Sequence, residues 1–155
     1  MAAVFYVVNL REVRLNRRIS LTKDFILPIA SKEGISSYFT VMNMEWTDFD
    51  DFFKKYSRKV DPQYAIAFQT YHTTCEVLGF QYKRGLIDLE TVYEMCGEYI
   101  IEFWLKFKPV MEEFIRSGRS GKDVYNNFEY LAYQLAKIKN ERDPTFPPIQ
   151  KFFNQ

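Results

Sequence analysis

The chain has 155 residues, the length of one ordinary domain, and 47% of them are hydrophobic and 18% aromatic, with 15 Phe and 11 Tyr. That composition excludes a disordered chain and a miniature scaffold that needs disulfides or metal to hold together. With 21 basic against 20 acidic residues the formal charge is +1, so no global field draws the molecule toward nucleic acid or anionic lipid, and any electrostatic partner must be met locally.

Glycine is scarce and apolar residues recur at spacings of three and four, which predicts helix throughout. A first helix is expected from Val4 to about Arg18, apolar at its start and basic at its end. A loop near Ile19 to Leu21 follows, with Thr22 capping a second helix that bends or breaks near Pro28. Gly34 is expected to separate that helix from a short one carrying Tyr38, Phe39, Val41 and Met42. The acidic run Asp48, Asp50, Asp51 marks the start of another short helix through Phe52, Phe53 and Tyr56.

Asp61 and Pro62 open a long helix that runs to about Arg84, Gly85 supplies a left-handed stop, and Asp88 caps the next helix, Leu89 to about Ser117. Apolar residues pair as mirror images across that turn: Tyr64 with Phe107, Phe68 with Phe103, Tyr71 with Ile100, Cys75 with Cys96, Leu78 with Tyr93, Tyr82 with Leu89. This is the pattern of two helices folded back on each other. Pro109 interrupts the second seam without ending its phase. After a turn at Gly118 to Gly121, Val124, Phe128, Leu131, Leu135 and Ile138 define a third long helix. The fold expected is all-α: three long antiparallel helices over residues 61–139 form the core, flanked by shorter N-terminal helices over 1–57. Pro144, Pro147 and Pro148 are expected to leave 140–155 as an extended tail bearing Phe146, Phe152 and Phe153.

Motifs that carry chemistry are few. Cys75 and Cys96 fall in one layer of the hairpin, where axes 8 to 10 Å apart favour buried free thiols over a disulfide. His72 is the single histidine, too few for a zinc or di-iron ligand set, and a core-edge role is expected of it. Glu90, Glu94, Glu98 and Glu102 form a like-charged ridge that calls for a counter-charge, and the face of Arg11, Arg14 and Arg18 is the expected partner, with a cation or a basic protein as the alternative. Ser117 to Lys122 resembles a phosphate loop only superficially: its glycines are too close and Asp123 stands where Ser or Thr is needed. Weak anion binding by Arg119, Gly121 and Lys122 at the following helix start is the residual reading.

The turn Gly85, Leu86, Ile87, Asp88, followed by Gly97, Ile101, Trp104 and Pro109 and then by Tyr125, Phe128, Glu129 and Leu131, resembles an uncharacterised helical family, domain of unknown function 4760. The resemblance implies an all-helical fold, a buried Trp104 with Glu129 near it as a hydrogen-bond partner, and no established activity. Some relatives carry a membrane-spanning segment ahead of the helical part. Apolar Ala2 to Val8 followed by Arg11, Arg14, Arg17 and Arg18 would be what remains at such a boundary.

The function expected is a non-enzymatic helical interaction module, cytoplasmic or at the cytoplasmic membrane face, with no cofactor and no metal. Its contact surfaces are Arg11, Arg14, Arg17 and Arg18 on one side and Phe146, Phe152 and Phe153 on the other. Partners are another protein or a second copy, with a membrane surface reached through residues 1–18. Nucleic acid is not expected, because no aromatic residues interleave the arginines. The alternative is a small-ligand or anion-binding helical protein, or an enzyme built on such a pocket.

Overall fold

The computed structural model describes residues 2–153, and these form seven helices with no strand among them. They are α1 (Ala2–Ala30), α2 (Lys32–Met42), α3 (Phe49–Tyr56), α4 (Pro62–Lys83), α5 (Leu89–Arg116), α6 (Asn126–Arg142) and α7 (Pro147–Phe153). Local signals set most of the boundaries. Asp61 accepts from the Gln63 and Tyr64 amides with Pro62 in the first turn, Gly85 takes φ 69°, and Asp88 accepts from Thr91 N at 2.9 Å.

One buried cluster draws on every helix, from Ile26 of α1 and Val41 of α2 to Ile149 of α7. Its centre is aromatic. Phe103 meets Phe68 at 5.9 Å, as the mirror pattern requires, and also Tyr71 at 4.7 Å and Phe128 at 5.6 Å between ring centroids. These large rings keep α4 and α5 apart, and each approaches α6 more closely than it approaches the other. Small residues make that approach possible: Ala132 and Ala136 are buried on α6, and a Cβ added to Gly79 of α4 would lie 2.0 Å from the Asn127 carbonyl oxygen. Tyr64 pairs with Tyr56 of α3 at 5.1 Å.

Helix α6 has no side-chain cap of its own, and α4 supplies one. Glu76 Oε1 accepts from Phe128 N at 2.9 Å, while Lys83 Nζ donates to Asn127 Oδ1 at 2.9 Å. Burial raises the Glu76 pKa, opposed by these amide bonds. The sequence carried no local sign of this, because donor and acceptor lie on different helices.

Five expectations are corrected. No loop separates residues 19–21 and Thr22 caps nothing: α1 continues to Ala30, and Thr22, fully buried, donates to the Arg18 carbonyl at 2.7 Å and accepts from Asp88 N at 2.7 Å. A threonine with both bonds satisfied inside a helix reads in sequence like a cap. Gly34 lies within α2, and the break falls at Ser31, whose hydroxyl accepts from Gly34 N. Val124 is exposed in the turn ahead of α6, so the seam of that helix begins at Phe128. The tail is not extended: Pro147 and Pro148 occupy the first turn of α7, where no amide donor is needed, and Ile149 is buried against the body. The N-terminal helices are also more than flanking elements, since Ile26, Ile29, Tyr38 and Val41 belong to the core.

Candidate interaction surface

Helix α1 has two halves with different environments. From Arg18 onward it is fastened to the body, with Arg18 Nη2 donating to the Ile87 carbonyl at 3.0 Å and Ile26 and Ile29 buried. From Val4 to Arg17 every residue is exposed, which leaves about 21 Å of helix projecting at 1.5 Å per residue. Val4, Phe5, Tyr6, Val7 and Val8 are consecutive, and at 100° per residue they cover the whole circumference. Phe5 is 70% and Val13 63% exposed, values at odds with a helix that has found its partner within the chain.

Arg11, Arg14 and Arg17 follow this apolar end, all exposed and without an ion-pair partner among the described residues. Arg18 is taken by the fold. No helix of the described residues is long and apolar enough to cross a membrane.

The glutamate ridge does not meet these arginines. Arg142 of α6 pairs with Glu94 and, at 2.6 Å, with Glu90, Lys139 pairs with Glu98 at 2.5 Å, and Glu102 accepts from Tyr38 Oη at 2.7 Å. The reason is geometric: the basic half of α1 projects past the body, whereas α6 runs alongside α5. Lys139 and Arg142, spaced one turn apart, were the signal in the sequence for this pairing. Glu98 holds the Lys139 ammonium above its usual pKa, and the same ammonium sits 4.2 Å from the Phe146 ring centroid.

Phe146 and Phe152 are half-buried and Phe153 is exposed, with Phe152 and Phe153 both beside Tyr133, at 6.2 and 6.0 Å between centroids. Arg119 stacks over Phe53 at 4.6 Å and Phe49 at 5.7 Å, while Gly121 and Lys122 are exposed in the turn. The helix start expected beside them lies further on, at Asn126, where Asp123 accepts from the Asn126 amide group.

The nucleophiles and the base are enclosed. Cys75 and Cys96 are free and buried, and burial pushes the Cys96 thiol up to about 12 and the Cys75 thiol well above its ordinary range. His72 stacks on Phe68 at 6.0 Å with Tyr125 edge-on at 5.0 Å, and neither imidazole nitrogen has a hydrogen-bond partner. Desolvation lowers its pKa to about 4, so the ring is neutral near pH 7. Glu129 is exposed and shares no hydrogen bond with the buried Trp104 among the described residues. No group of His, Cys, Asp or Glu among the described residues is arranged to hold a metal ion.

A single aromatic-cored helical body with one unpartnered apolar and basic helix end thus defines the class. Residues 1–135 match the model of DUF4760, a domain of unknown function, and the chain belongs to that family. No curated protein and no solved structure matches it.

Proposed function

We propose that the protein is a non-enzymatic interaction module that attaches to an anionic membrane face through the projecting half of α1. The observation that carries this reading is the exposure of every side of the helix from Val4 to Val8, directly followed by Arg11, Arg14 and Arg17. A single partner helix covers only a stripe, whereas lipid covers a full circumference. Ala2 to Leu10 spans about 13 Å, close to the roughly 15 Å of hydrocarbon in one leaflet, so an end-on helix would set the arginines at the phosphates. Among the described residues both thiols and the single histidine, His72, are buried away from any ligand, which supports a binding role over a cysteine- or histidine-based catalytic one.

Co-sedimentation with vesicles of phosphatidylglycerol and phosphatidylcholine tests it. The protein pellets with these vesicles and is released by salt, and each of two triple variants, Val4→Ser/Phe5→Ser/Val8→Ser and Arg11→Gln/Arg14→Gln/Arg17→Gln, binds at least about tenfold more weakly. Failure to pellet, together with elution as an oligomer that the first variant dissolves, assigns the helix to self-association and ends the membrane reading.

A further inference from the structure

We propose that a second site, a cavity of about 800 Å³ between α3, the first turns of α4 and the end of α5, binds a small amphiphilic anion of the long-chain carboxylate class. The inference is independent of α1. Its size falls within the range of small-molecule pockets, which run from about 300 to 1,000 Å³. Phe52, Phe68 and Phe114 supply an apolar wall, and Phe52 is itself held from behind by Trp46 at 5.1 Å. A chain that is nearly neutral overall places Arg58, Lys59 and Arg119 around this cavity and no carboxylate.

Those cations are uncommitted. Arg58 and Lys59 have no ion-pair partner among the described residues, and Glu113, the acid whose field reaches Arg119, is already bound in a two-point pair to Arg116. Arg119 sits over the Phe53 ring, 4.6 Å from its centroid, a contact that steadies the guanidinium beside the cavity without using its N–H donors. Ser120 and Tyr125, whose hydroxyls stand 3.4 Å apart, add neutral hydrogen-bonding groups to the same lining. An apolar body would enter against the rings and its carboxylate would remain at the cationic rim. A cationic amphiphile of equal length would meet three like charges, and a short carboxylate would leave the rings uncovered.

Calorimetric titration with dodecanoate tests the proposal, carried out on the Val4→Ser/Phe5→Ser/Val8→Ser chain so that α1 contributes no amphiphile binding. Dodecanoate saturates at one per chain, dodecylammonium binds at least tenfold more weakly, and butyrate gives no saturable heat. Arg119→Gln and Lys59→Gln each weaken dodecanoate severalfold, and Ala65→Phe, which fills the cavity from the α4 side, weakens it at least tenfold with the circular dichroism unchanged. Equal binding of dodecylammonium, several dodecanoates per chain, indifference to all three substitutions, or no saturable heat with dodecanoate would each overturn it.

Discussion

Gly79→Ala lowers the stability of the protein by about 2 to 3 kcal/mol, and the reason lies in the backbone rather than in any side chain. The added Cβ would stand 2.0 Å from the Asn127 carbonyl oxygen and 2.5 Å from its carbon, so α4 and α6 must part. A clash this close against backbone puts the overpacking cost at the upper end of its range, about 3 kcal/mol or more, and alanine returns only about 1 kcal/mol of it in helix propensity. Parting the helices also stretches the Glu76 to Phe128 amide bond and the Lys83 to Asn127 bond, which together start α6. A thermal melt by circular dichroism reads the change as a fall of roughly 5 to 10 °C for a domain of this length. Gly85→Ala is the contrasting case. Nothing lies within 4 Å of its Cβ, so only the φ of 69° is strained and the cost stays near 1 to 2 kcal/mol. Equal melts for Gly79→Ala and the parent would mean that the α4–α6 contact is not as close as described.

The second large effect is a pH dependence centred on His72. Its folded-state pKa, about 4, lies below its ordinary 6.5, so as pH falls the unfolded chain takes up the proton first. Stability from this group is therefore complete above about pH 6.5 and declines as pH falls toward 4, by about 3 kcal/mol in all at 1.36 kcal/mol per unit. Glu76, raised by burial, acts in the opposite sense, so the parent is compared with His72→Leu, in which the Glu76 contribution is retained. The variant loses the decline between pH 6.5 and 4 and is as stable as the parent or more so at pH 7, because an apolar side chain replaces two unpartnered ring nitrogens. Urea titrations across that range measure it. A parent and a variant with parallel pH profiles would show that His72 is solvated in the fold.

Much of the framework was legible because its signals are local. Asp61 with Pro62, Gly85 and Asp88 each act within one turn of themselves, and all stand where the sequence put them. The aromatic seam was legible in type but less so in register: Phe68 and Phe103 meet, yet Tyr64 turns to Tyr56, a ring on a helix outside the hairpin. What escaped was whatever depends on a distant partner. Thr22 continues α1 because Asp88 N comes to it from sixty-six residues away, and the glutamate ridge is neutralised by Arg142 and Lys139 rather than by α1. The α7 helix has a start signal in the sequence, Pro at a first turn followed by Ile149 and Phe152 three apart, but Pro144, Pro147 and Pro148 so close together mimic a break. The cavity had no local signature: Arg58 and Lys59 lie about sixty residues before Arg119 and share a cavity with it only when α3 folds over the end of α5.

Amide hydrogen exchange with and without anionic vesicles bears most directly on the claim that α1 is half body and half membrane attachment. In the free protein, amides from Thr22 to Ile29 exchange slowly with the core, and those from Val4 to Arg14 exchange fast as an unpacked helix end. With vesicles present, Val4 to Arg14 become protected and the rest of the chain keeps its free-state rates. Protection that appears on the body, or none on Val4 to Arg14, would contradict the account.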